Sequence, residues 1–182
     1  MTPYLQHTKE WVEQFVIGYN LCPFAARPHR LGRIRYVLVE GQHLNRLTDK
    51  LLYEARYLLA AEPQRTETTL LVHPHLLQDF DDYLDYLYAA EGLLQQWQME
   101  GLLQLASFHP DYQFAGSSPE AASNYTNRSP YPMLHLLRED IVEQALLYYE
   151  HPEEIPERNI ARMEEAGRDQ LMAQLRQITD KK

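Results

Sequence analysis

One cysteine, seven glycines and two tryptophans are all that a chain of 182 residues contains of these three types. The lone thiol, Cys22, forms neither an internal disulfide nor a CxxC redox pair, and such cysteine usage fits a reducing compartment. Positive charge is also scarce. Lysine and arginine number 17 against 26 aspartates and glutamates, for a formal charge of −9. Nonspecific binding to nucleic acid or to an anionic membrane needs a basic face, so neither partner is expected. No apolar run approaches the ~20 residues of a membrane span. The start, Met1-Thr2-Pro3-Tyr4-Leu5-Gln6-His7, lacks the basic-then-apolar pattern of a secretory signal. A soluble, cytoplasmic protein is the expectation. HExxH, GxSxG, a P-loop lysine and a glycine-rich dinucleotide fingerprint are absent as well, so no metal motif is found and the cofactor stays unknown.

What is present suffices for one core. Hydrophobic residues make up 45% of the chain and aromatics 11%, and the length is that of one domain, 1–182. Thirteen tyrosines against five phenylalanines point to half-buried rings with a polar tip at the surface.

Periodicity divides the chain. Trp11, Val12, Phe15, Val16 and Tyr19 predict a helix over Tyr4 to Tyr19. A turn at Asn20-Leu21-Cys22-Pro23-Phe24-Ala25 leads into a basic stretch with Arg27, His29, Arg30, Arg33 and Arg35. Strands are predicted at Ile34 to Val39, Thr68 to His73 and Leu102 to Phe108, from β-branched and aromatic runs closed by glycine or proline. Between them, leucine spacing predicts helices over Leu44 to Ala61 and over Leu76 to about Trp97, the latter with a break at Gly92. Asp79, Asp81, Asp82 and Asp85 read as its solvated face. Met133 to Leu137 predicts a fourth strand. Asp140 and Glu143, spaced like a capping box, start a helix over Ile141 to Tyr149. A last helix, about 157–178, carries a thin stripe (Ile160, Met163, Leu171, Leu175, Ile178) and is expected at the periphery. Strands separated by helices pair in parallel through right-handed crossovers. The predicted fold is α/β: a single layered domain with a small, mixed and mostly parallel four-stranded sheet flanked by helices, its fourth strand an antiparallel addition.

Between Ser107 and Pro132 periodicity stops, for about 26 residues where most connections run ~4–6. This segment is too rich in aromatic and amide side chains for a solvated tether, so an ordered, functional loop is expected. His109 and His135 bracket it and suit acid–base work if their strands pair. Cys22 lies close in sequence to Arg27, Arg30, Arg33 and Arg35, and nearby cations lower a thiol pKa toward nucleophilic use. Arg128 and Arg138, beside Asn124, Thr126, Asn127 and Tyr131 and together with Arg33, offer donors for a phosphate or carboxylate. Each has a plainer reading: a buried thiol, strand-end histidines bonded to carbonyls, and structural ion pairs. His73-Pro74-His75 reads as a turn at a strand end.

Asn20-Leu21-Cys22-Pro23-Phe24, Phe108-His109-Pro110, Thr126-Asn127-Arg128-Ser129-Pro130-Tyr131-Pro132 and Leu134-His135-Leu136-Leu137-Arg138-Glu139, with Ile155-Pro156 and Asn159, resemble the bacterial domain-of-unknown-function 1415 family over nearly the whole chain. The resemblance implies a bacterial single-domain protein and no particular activity. Three functional readings stand. The first is an enzyme for a small anionic substrate under the 107–132 loop, with Cys22, His109 and His135 catalytic. The second is a noncatalytic module that binds a small ligand or a protein. The third is a metalloprotein using His109, His135 and Cys22.

Overall fold

Four strands form one sheet in the order β1-β2-β4-β3 in the computed structural model, which describes residues 2–181. The strands are β1 (Ile34–Leu38), β2 (Thr68–Val72), β3 (Leu103–Phe108) and β4 (Met133–Arg138). The first helix, α1 (Pro3–Trp11), runs on as a π-helix over Val12–Ile17, and α2 (Ala26–Arg30) precedes β1. Next in order come α3 (Leu44–Ala60), α4 (Phe80–Gln96), α5 (Glu139–Leu147), α6 (Ile155–Ala166) and α7 (Arg168–Thr179). The fold is α/β.

β1 pairs with β2 in parallel, and β4 pairs antiparallel with β2 on one edge and β3 on the other. Three strands therefore point one way, as the helical crossovers require. β4 runs against them from the middle of the sheet, so only one of the three ladders is parallel. A strand reached through a long loop from β3 need not sit at an edge. Its run, Met133-Leu134-His135-Leu136-Leu137, is apolar enough to be covered on both faces.

The pleat sorts residues onto two faces. Leu71, Leu134, Leu136 and Leu103 face α3 and α4, where Leu47, Leu51, Leu58, Tyr83 and Ala90 are all fully buried. Burial of each such leucine contributes about 1.5–3 kcal/mol. Tyr83 also donates to the Met133 carbonyl (2.9 Å) and accepts from the Phe108 N–H (3.0 Å), tying β3 to β4 where the ladder ends. Leu70 and Met133 face the opposite way, against Trp11, Phe15, Tyr125, Met163, Leu171 and Ile178.

Several boundaries depart from the periodic reading. Helix α4 starts at Phe80, not Leu76: Leu77 takes a positive φ of 55°, and Asp79 caps the helix by accepting from the N–H groups of Asp81 and Asp82. No break occurs at Gly92. Helix α5 begins at Glu139 without a capping box, Asp140 accepting only from the adjacent Ile141 N–H. The last helix is two, α6 and α7, parted at Gly167 (φ 76°, ψ 144°), a conformation open to glycine alone. With Met163, Leu171 and Ile178 at most 1% exposed, these helices complete the core rather than lie at the periphery.

The π-helix depends on Gly18. A Cβ there would lie 2.1 Å from the Gln14 carbonyl oxygen, which is backbone and cannot swing aside. Gly18→Ala is expected to destabilise the fold by about 1–3 kcal/mol in urea unfolding. A loss under about 0.5 kcal/mol would show that the turn relaxes freely.

Candidate functional site

The loop between β3 and β4 is ordered by its own polar side chains. Asn124, fully buried, accepts from the Phe114 N–H (3.1 Å) and the Ser117 hydroxyl (2.7 Å) through Oδ1, and donates through Nδ2 to the Ser118 carbonyl (2.8 Å). Asn127 donates to the Ser107 carbonyl at 3.0 Å. Arg128 donates to the carbonyls of Tyr112 (3.1 Å) and Pro119 (2.8 Å), with its guanidinium 4.8 Å from the Tyr125 ring centroid. His7 donates through Nε2 to the Lys181 carbonyl, so its Nδ1 accepts the Tyr131 hydroxyl proton at 2.7 Å. The Thr126 hydroxyl is buried without a partner. Of the predicted anion-binding wall, Asn124, Asn127 and Arg128 commit their polar groups to the loop itself, as a scaffold, and Tyr131 bonds His7, because a loop without a ladder must satisfy its own carbonyls.

His109 belongs to the same scaffold. Its Nε2 donates to the Leu77 carbonyl (3.0 Å), its Nδ1 accepts the Asp111 N–H (3.0 Å), and burial holds its pKa below the ordinary value. Strand parity keeps it from His135. Ala106 is the register partner of His135, so Ala106, Phe108 and His135 share a face and His109 lies on the other. The expected His109–His135–Cys22 cluster does not form. Among the described residues, the one group of three ligand-type side chains within metal-binding reach is the exposed His151, Glu153 and Glu154.

Four more of the arginines singled out in the sequence, Arg27, Arg33, Arg35 and Arg138, are engaged too. Arg33 and Arg27 both bond Glu67 (2.7 and 3.0 Å), and Arg35 grips the buried Glu54 at 2.6 and 3.1 Å. The Arg138 guanidinium is buried against the Leu58 and Ala61 carbonyls, where it caps the C-terminus of α3.

Cys22 and His135 do meet. They line a cavity of about 230 Å³ between the second sheet face and the segments α1–π-helix, α2 and α5. Its walls are mostly carbon, with Trp11, Val12, Val16, Leu70, Phe108 and Ile141 prominent. The void exists because small residues (Ala25, Ala106, Ala145) stand where larger ones would fill it, and because α5 buries none of its residues completely. The π-helix supplies Val12 and Val16. The turn that carries Cys22 is held by α6, from which Asn159 donates to the Leu21 carbonyl (2.7 Å) and Arg162 to that of Asn20 (2.7 Å).

Both titratable groups are neutral at pH 7. Apolar surroundings raise the Cys22 thiol pKa, against hydrogen bonds from the backbone of Phe24 and Ala25 that lower it. The flanking arginines, bound to Glu67 and Glu54, do not activate it. Burial pulls His135 down to about 4. Thr68 gives its one hydroxyl proton to the Leu136 carbonyl (2.6 Å) and accepts Nε2–H of His135 at 2.5 Å. His135 Nδ1 then carries a lone pair and has no hydrogen-bond partner among the described residues. Thr68 and the apolar lining escaped the sequence reading, since wall carbons look like core carbons until register and helix placement are known.

A family model described as a protein of unknown function, DUF1415, matches residues 4–173. No curated protein and no solved structure matches the chain.

Two outcomes follow. Asn124→Ala removes three loop hydrogen bonds and leaves the Phe114 N–H without its acceptor; it is expected to cost about 1–3 kcal/mol, with faster hydrogen exchange at Phe114, and unchanged exchange there would refute the scaffold. His73 and His135 both sit near pKa about 4 in the fold against 6.5 for the free side chain. The native state refuses protons that the unfolded chain takes up. Their contribution is therefore complete above pH 6.5 and is lost as pH falls toward about 4, by a few kcal/mol in all. His135→Gln should flatten the stability profile between pH 6.5 and 5 in urea titrations, and an unaltered slope would contradict the assignment.

Proposed function

The chain belongs to the DUF1415 family, a membership that brings no activity with it, and we propose that its function is to bind a small, uncharged, largely apolar molecule in the Cys22–His135 cavity. One observation carries this reading: a carbon-lined space of about 230 Å³ whose only two unpaired titratable groups are both uncharged at neutral pH. Arg138 and Glu67 also reach the cavity wall, but their charges are bound to α3 and to Arg27 and Arg33. An anionic substrate would lose its hydration there and find no free cation. A cavity near 150 Å³ accepts benzene, so this one takes a ligand of roughly 8–12 non-hydrogen atoms.

His135 Nδ1 supplies the orienting contact. As an unprotonated acceptor fixed from behind by Thr68, it selects a ligand with an O–H or N–H donor among otherwise apolar surface. Cys22, an exposed residue that also lines the cavity, stands at its mouth. A thiol held in its protonated form is a poor nucleophile, which favours binding over covalent chemistry.

Thermal shift with matched small probes tests the reading. Phenols are expected to raise Tm by a few degrees at saturating concentration, toluene by less, and benzoate not at all. Ala106→Phe fills the space and should abolish the phenol response while retaining or raising the basal Tm; His135→Phe should erase the preference for phenol over toluene. Benzoate stabilising as well as phenol, or Ala106→Phe leaving the response intact, would overturn the proposal.

A further inference from the structure

We infer that a second cleft, at the β1 edge of the sheet, binds a small multiply charged anion of the phosphoryl or polycarboxylate class. This cleft has a volume of about 460 Å³ and is walled by Lys9 of α1, His29 of α2, β1 itself and the Arg65-Thr66 segment before β2. No aspartate or glutamate lines it. In a chain where acidic residues outnumber basic ones 26 to 17, a carboxylate-free concavity with four basic residues is the exception.

The charges divide in a telling way. Arg35 directs its guanidinium to Glu54 and presents only the rest of the residue to the cleft. Lys9, His29 and Arg65 have no carboxylate within ion-pair distance among the described residues. Lys9 and Arg65, gathered in one concavity without a counter-charge, repel one another, and the His29 imidazole adds a hydrogen-bonding group to the same wall. An anion that bridges them removes the repulsion and gains charge-assisted hydrogen bonds.

Tyr36 provides an independent sign. Its hydroxyl is buried without a hydrogen-bond partner, the residue lines the same cleft, and the Lys9 ammonium lies 6.0 Å from its ring centroid. An anion oxygen drawn in beside Lys9 offers that hydroxyl the acceptor it lacks. Since β1 is the outer strand, one edge of its backbone is unpaired by any neighbouring strand. Glu13, which bears on Tyr36 from the π-helix, is not part of the lining. The cleft and the apolar cavity share Ile34 and no other lining residue, so the anion site stands whether or not the cavity has a ligand.

Titration of the full chain with pyrophosphate, and separately with citrate, followed through amide chemical shifts, tests the inference. Saturable shifts centred on His29, Gly32 and Arg65 are expected, weakening as salt is added. The double variant Lys9→Gln/Arg65→Gln should bind at least about tenfold more weakly with unchanged Tm and an unchanged phenol response, whereas Lys9→Arg/Arg65→Lys should retain binding. Stronger response to one probe assigns the class to phosphoryl groups or to carboxylates. Shifts that grow linearly without saturating, that centre elsewhere, or that persist undiminished in the Lys9→Gln/Arg65→Gln variant would overturn it.

Discussion

β4 hydrogen-bonds along both edges, and the other elements take their places around that strand. Its alternation sends Leu134, Leu136 and Arg138 to the α3–α4 side, and Met133, His135 and Leu137 to the side of the π-helix and α5. One residue of slip would turn the Arg138 guanidinium from α3 toward the apolar cavity and pull His135 away from Thr68. Such a slip is opposed on both faces at once, by the buried leucines and by the carbonyls of Leu58 and Ala61 that the guanidinium satisfies. The register that closes the core is the same register that sets a neutral imidazole at the cavity wall.

Polar groups in this molecule fall into two populations. Those of the β3–β4 loop point inward and bond to backbone, so the segment with the most varied side chains is held rigid by them. Each such bond contributes about 0.5–1.5 kcal/mol, whereas a buried group left unbonded costs about 1–3 kcal/mol. The scaffold is therefore all-or-nothing in character. Lys9, His29 and Arg65 at the β1 edge form the second population and have no side-chain hydrogen-bond partner among the described residues. Variety of side chains marked the first place, and the absence of partners marks the second.

Much of the architecture was legible along the sequence. Leucine spacing gives α3 within a residue of Ala61, β-branched runs give β1 and β2, and short apolar runs give β3 and β4, because burial imposes periods of 3.6 and 2 that survive in any context. The central position of β4 was not, since strand order depends on contacts between distant segments. The π-helix was hidden because Trp11, Val12, Phe15, Val16 and Tyr19 satisfy an α-helical stripe nearly as well as a wider one. The break at Gly167 was hidden too, because the apolar spacing from Met163 to Leu171 continues across it. For the site, Cys22 and His135 line one cavity, while parity puts His109 on the other side of the sheet. The arginines chosen as anion ligands find carboxylates, carbonyls or a helix end nearer at hand than any solute.

The N-terminal helix and its π-helical extension pack Trp11 and Phe15 against Met163, Leu171 and Ile178, and the turn before Cys22 hangs from Asn159 and Arg162. During synthesis at about 5–20 residues per second, those partners arrive on the order of ten to thirty seconds after the helix they cover. For that interval a tryptophan, a phenylalanine and the unfinished sheet face are open to whatever else is in solution. The core on this face of the sheet is therefore closed from both ends of the sequence at once, and α1 with its π-helical extension reaches its final packing only when α6 and α7 are in place.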